Sequence, residues 1–180
     1  MKRLLSILLC VCISSNVYAG KHKVKHKHKK KRKVVVPELV IPKFVPYNSQ
    51  EGMEQRVYNE INTMRIAYGL PKLLLNDYLN QIARQNSQNI ALGVVEMQHG
   101  GFEDRSNIIY NKMPYIKLTE NIGWNRHSPD PVNSAIRGWM NSPHHFANIL
   151  DRHEQTGIGV VLDQQGRYIF TQLFWTKKKG

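Results

Sequence analysis

From residue 57 to residue 68 apolar side chains recur at helical intervals: Val57, Ile61, Met64 and Tyr68 fall one turn apart on one face. Gly69 and then Pro71 break the pattern and end this first helix. A second helix, capped at Asn76 or Asp77, gathers Leu79, Ile82, Ala83, Asn86 and Ile90 on one face and stops at Gly93. A short helix is expected between Phe102 and Tyr110. Another runs from Asp130 or Pro131 to Asn141, with Val132, Ile136, Trp139 and Met140 turned inward. The period then changes. Thr156–Asp163 and Arg167–Trp175 are rich in β-branched and aromatic residues, and Gln164-Gln165-Gly166 between them predicts a hairpin. Glu120–Asn125 is a candidate third strand. Helices followed by a terminal hairpin, with no internal repeat, predict an α+β domain rather than a parallel α/β sheet.

The run from Trp139 to Leu150 closes one helix and opens the next. Ser142 before Pro143 reads as an N-cap followed by proline at the first helical position, where a missing N–H costs nothing. His144 and His145 then occupy the second and third positions, with Ile149 one turn beyond His145 on the same face. His144 is expected to face solvent. The positive end of the helix dipole disfavours an imidazolium at His145.

The first 19 residues have a basic start (Lys2, Arg3), an apolar run from Leu4 to Ile13 and Val17-Tyr18-Ala19 before Gly20. This is the pattern of a secretory signal peptide cleaved near Ala19, and it predicts a secreted or periplasmic protein. Cys10 and Cys12, the chain's 2 cysteines, both lie inside it, so the mature chain is expected to carry neither disulfides nor a catalytic thiol.

Charge is concentrated outside the predicted body. The formal net charge is +13, yet 9 of the 26 Lys and Arg residues lie between Lys21 and Lys33, and 3 more are Lys177–Lys179. Residues 34–176 hold 12 basic residues against all 13 acidic ones and are nearly neutral. The resulting organisation is a signal peptide (1–19), a disordered basic Lys/His arm (20–33), a proline-containing spacer (34–48), a folded domain (49–176) and a basic tail (177–180). The arm is expected to bind anionic surface polymers or lipids, with His22, His26 and His28 adding charge in acid. Sequence-specific nucleic-acid reading is not expected of it.

Motif by motif, residues 50–176 resemble the CAP superfamily (the cysteine-rich secretory, antigen 5 and pathogenesis-related, or SCP-like, proteins), and within it the bacterial, cysteine-poor branch. The resemblance rests on Asn59-Glu-Ile-Asn-Thr-Met-Arg65 with Gly69-Leu70, then Asn76, Leu79, Ala83 and Ser87. His99, Glu120-Asn121-Ile122, Trp139–Leu150, Gly157-Ile-Gly159 and Gln172-Leu-Phe174 complete it. It implies an α-β-α sandwich with a central antiparallel sheet between helical layers and a cleft on one side. It also implies a cleft built from His99, Glu120 and His145, a set able to hold zinc or another divalent cation. Ser142 stands where many relatives carry a further acid, and Gln155 where some bacterial ones do, which implies a more open site.

Read without that resemblance, the same three residues serve equally as cleft-wall side chains, with Glu120 accepting backbone N–H bonds. No Gly-x-Ser-x-Gly or His-Glu-x-x-His motif is present, so no catalytic residue is assigned. Gly157-Ile-Gly159 lies on a strand and reads as close packing. His127 and His153 fall in polar, loop-like segments without a partner signal, and Trp124 is a candidate groove residue. The expected function is a ligand-binding or interaction module, lipid or sterol being the ligand class the resemblance suggests. The rival is a metal-assisted extracellular peptidase.

Overall fold

The computed structural model describes residues 48–178. The signal, the basic arm, nearly all of the spacer and the last two residues therefore lie outside the described residues.

Helix α1 (Gln50–Ala67) begins at Ser49, whose side chain accepts the Gly52 N–H at 3.0 Å. Met53, Val57 and Ile61 are buried along it. Tyr68 does not continue that face: it is the C-cap residue and stays exposed, its ring edge-on to Phe146. Gly69 follows at φ +72°, a conformation that needs no Cβ, and the chain leaves the helix there.

Two residues, β1 (Leu74–Leu75), form a strand that the hydrophobic pattern does not announce. Helix α2 (Asp77–Ala91) starts from Asn76, whose side chain accepts the Leu79 N–H at 3.1 Å. Helix α3 (Phe102–Lys112) leads into β2 (Tyr115–Arg126), twice as long as the six-residue strand expected at Glu120–Asn125. Helix α4 (Pro131–Met140) is capped by Asp130 onto the Asn133 N–H at 3.2 Å. Of its predicted inward residues, Val132, Ile136 and Trp139 are buried, whereas Met140, in the last turn, is exposed.

Helix α5 (Pro143–Leu150) is followed by the hairpin of β3 (Gln155–Leu162) and β4 (Arg167–Lys177). Asp163 organises the turn. Its carboxylate accepts the N–H groups of Gln165 and Arg167 and pairs with the Arg167 Nε at 2.6 Å.

The strands form one mixed sheet in the order β1-β3-β4-β2, with β1 parallel to β3 and the other pairs antiparallel. Alternation along β4 divides the core into two layers. Phe170 and Phe174 face α1, α4 and α5 among Met53, Val57, Ile61, Val132, Ile136, Trp139 and Ile149. Leu173 and Trp175 face the other way, toward Leu79, Ala83 and Ile109, and Ile169 toward Ile90 and Ile122. The result is helices on both sides of a sheet, an α-β-α sandwich of the α+β class.

Helix α2 can lie this close only because β3 presents glycines to it. A Cβ on Gly157 would fall 2.2 Å from the Leu79 carbonyl carbon, and one on Gly159 2.2 Å from the Arg84 nitrogen. Both glycines are spacers for a helix backbone.

Candidate functional site

The candidate cleft lies at the outer edge of the sheet, where β2 runs between helices of opposite layers. Side chains alternate along β2, so Glu120 points toward α3 and Asn121 toward α5. Asn121 Nδ2 donates to the His145 carbonyl oxygen at 3.0 Å. Asn148, three residues further along α5, donates to the Glu120 carbonyl oxygen at 3.3 Å and to Asn121 Oδ1 at 2.9 Å. These bonds satisfy strand-edge groups and fix α5 against β2.

The far end of α5 is held by a buried cation. Arg65, fully buried on α1, donates from Nη1 to the carbonyl oxygens of Ile149 (2.6 Å) and Asp151 (2.7 Å), and from Nε to that of Pro71 (3.1 Å). A guanidinium thus caps the carbonyl end of the helix that presents His145. Burial pulls the Arg65 pKa down, and Asp151 opposes that pull.

At the other end, Ser142 has the extended backbone of an N-cap, and its carbonyl oxygen accepts the Phe146 N–H at 2.9 Å. The expected bond from its side chain is not formed. His144 faces solvent and His145 is half-buried. The His145 pKa is lowered first by burial and then by the neighbouring His99 and His144, which favours the neutral imidazole.

His99 comes from the loop before α3 and adopts φ +63°, which is uncommon for a residue with a side chain. The turn is tight: a Cβ on Gly100 would meet the Glu96 nitrogen at 2.7 Å. It swings the His99 ring over Glu120, with Nδ1 3.1 Å from Oε1. A carboxylate only accepts, so Nδ1 carries the proton and Nε2 takes no part in that bond. The His99 and His145 rings stand 6.2 Å apart, centroid to centroid. A cavity of about 240 Å³ opens beside them, lined by His99, Phe102, Leu118, Thr119, Glu120 and Asn148.

Arg105, one turn into α3, is the residue that motif reading missed. Its Nε donates to Glu120 Oε2 at 3.0 Å, Nη2 to Oε1 at 2.8 Å, and Nη1 to the Gly100 carbonyl oxygen at 2.7 Å. Glu120, expected to accept backbone N–H bonds, instead accepts a two-pronged guanidinium and an imidazole. Arg105 stands 15 positions from Glu120 on another element, a separation that carries no local signal.

His153, expected in a polar, loop-like segment without a partner, is instead enclosed. It is 2 % exposed, with Nδ1 2.9 Å from Thr176 Oγ1 and Nε2 3.2 Å from Thr119 Oγ1. Burial, the largest cause, brings its pKa down to about 4. Trp124 is exposed under the Arg167 guanidinium, away from the cavity.

The zinc expectation does not fit this arrangement. Among the described residues no three His, Cys, Asp or Glu side chains form a group able to hold a metal ion. The reason is local to the carboxylate: Glu120 accepts two N–H bonds from Arg105 and one from His99 Nδ1, so it is already engaged where it would have to serve as the third ligand.

A family profile described as the cysteine-rich secretory protein family, CAP, matches residues 58–175. The chain belongs to the CAP family. Among solved structures, this CAP domain is similar to an outer surface protein from Borrelia burgdorferi (18% identity, TM-score 0.61, 72% of this chain and 96% of that one). It is also similar to an extracellular SCP-domain protein from Bacillus anthracis (25% identity, TM-score 0.59, 71% of this chain and 41% of that one). A cysteine-rich secretory protein from Staphylococcus aureus gives 23% identity and TM-score 0.59 over 73% of this chain and 40% of that one. The chain thus spans about two fifths of the last two proteins. No curated protein matches it. At these identities the likeness speaks for the shared fold.

Proposed function

We propose that this CAP domain is exported and acts as a binding module, its cleft of His99, Glu120 and His145 taking an amphiphilic ligand. The observation that carries the reading is the neutralised carboxylate at its centre. Here both Glu120 oxygens are engaged by Arg105, and the same carboxylate holds the His99 ring through Nδ1. The geometry favours hydrogen-bond recognition over proton transfer. Phe102 and Leu118 give the adjoining cavity an apolar side, while His99, Thr119 and Asn148 give it a polar one. A lipid or sterol with a hydroxyl or ester head has matching chemistry.

The Lys/His arm, residues 21–33, supplies the second half of the proposal: it holds the domain at anionic envelope or host surfaces. Export is supported by the leader-like first 19 residues and by similarity to a protein described as extracellular.

The cleft is tested by following the His99 and His145 ring signals by NMR during titration with dihexanoylphosphatidylcholine below its micelle concentration. Saturable shifts that disappear in Phe102→Ala/Leu118→Ala support the reading. Unmoved signals would sink the amphiphile assignment. Peptide hydrolysis by the chain, lost in His99→Ala/His145→Ala, would replace the binding module with the peptidase.

A further inference from the structure

Glu120 is buried to 1 % of its side chain, and an anion so buried must be compensated. A CAP cleft with two histidines and an acid suggests compensation by a divalent cation, and this chain supplies its own instead. The Arg105 side chain is itself 10 % exposed. Three of its nitrogens are committed, two to Glu120 and one to the Gly100 carbonyl oxygen, and the Phe102 ring centroid lies 5.8 Å from its Cζ. With His99 Nδ1 added, Glu120 accepts three N–H bonds, leaving little of its in-plane lone-pair capacity for a metal.

Charge leads to the same place. A guanidinium keeps its proton at any physiological pH, so a divalent ion approaching Glu120 would meet a permanent positive charge at close range. The His99 Nδ1–H bond occupies the carboxylate as well, so an ion ligated by Glu120 would compete with that bond in addition to the guanidinium.

We propose that Arg105 is a built-in cation standing in for a divalent metal at Glu120, so that the cleft works without a metal and becomes a metal site only when Arg105 is removed. This holds whatever ligand the cleft takes. It assigns Arg105 a positioning role, fixing Glu120 and through it the His99 ring.

The test uses the full exported chain and zinc alone, read by NMR at individual histidine rings. That choice matters because His22, His26 and His28 of the arm offer zinc other ligands. In the wild-type chain the arm signals should respond while those of His99 and His145 stay in place. In Arg105→Gln the two cleft signals should shift together and saturate near one equivalent of zinc, with affinity at least about tenfold above wild type. Adding Glu120→Gln should abolish that response. Arg105→Lys keeps the charge without the fork and should stay unresponsive.

Wild-type cleft signals that saturate with one equivalent of zinc would overturn the proposal, and this measurement needs no variant. A folded Arg105→Gln chain, judged by circular dichroism, whose cleft histidines ignore zinc would overturn it as well. So would zinc binding in Arg105→Lys equal to that in Arg105→Gln.

Discussion

Arg105 and Glu120 face each other as a two-pronged pair, Nε to Oε2 at 3.0 Å and Nη2 to Oε1 at 2.8 Å, in a site nearly closed to water. A pair of this kind is costly to break from one side, because the remaining charge stays buried. Arg105→Ala is therefore expected to destabilise the domain by about 3–5 kcal/mol. Arg105→Met/Glu120→Leu, which removes both charges, should recover much of that loss. Urea unfolding of the three chains checks the order.

Acid should weaken the fold through His153. Its folded pKa of about 4 lies below the ordinary 6.5, so between these values the unfolded chain binds the extra proton. Stability is therefore fully present above pH 6.5, falls as pH drops toward 4 and then levels off with respect to this group. The loss is about 3 kcal/mol. His145, also depressed, adds in the same direction. Thermal unfolding across this range should show a shallower pH slope in His153→Asn than in wild type.

Three glycines should respond differently to alanine. Gly157 meets the α2 backbone, where an added Cβ would lie 2.2 Å from Leu79, so Gly157→Ala should cost at least about 2 kcal/mol. Gly166 has open space but φ +75°, and its alanine variant should lose about 1 kcal/mol. Gly138, inside α4 with nothing within 4 Å of the added Cβ, should gain about 0.5–1 kcal/mol. Melting temperatures of the three variants provide the comparison.

Deleting residues 21–33 removes 9 basic residues from a chain whose body is nearly neutral. Binding to phosphatidylglycerol vesicles at low salt should fall by more than about 100-fold, at about 1 kcal/mol for each basic residue near the surface. Wild-type binding should weaken steeply with added salt. Co-sedimentation with vesicles measures both effects, with phosphatidylcholine vesicles as the neutral control.

The layers of this fold were legible because they follow from periodicity. Apolar spacing along α1, α2 and α4, the Ser142-Pro143 helix start and the β3–β4 hairpin are local patterns, each written in consecutive residues. Gly157 and Gly159 were readable as close packing for the same reason. Elements defined by a distant partner were not. Strand β1 is two residues held by pairing with Gln155 and Thr156, and the extra length of β2 is set by its register against β4. Tyr68 and Met140 kept the helical period but sit at helix ends, where the buried face runs out.

The same division runs through the site. Family motifs point to His99, Glu120 and His145 one at a time, and the structure adds what connects them. Arg105, Arg65 and His153 matter through partners 15, 84 and 34 positions away (Glu120, Ile149 and Thr119), and no spacing rule reaches across such gaps. His153 looked like a loop histidine because its neighbours in sequence are polar. Its ring is held between threonines on β2 and β4 and lies 5.5 Å from the Phe174 ring, contacts that its sequence neighbours do not announce.

The most direct measurement of the central claim is the NMR signal of the Arg105 Nε–H. If the guanidinium holds Glu120 in place of a metal, this proton should be slow to exchange and shifted downfield. It should stay unchanged in excess zinc and lose its protection in Glu120→Gln. An Arg105 Nε–H that exchanges freely, or that loses its protection as zinc moves the His99 and His145 signals, would contradict the account.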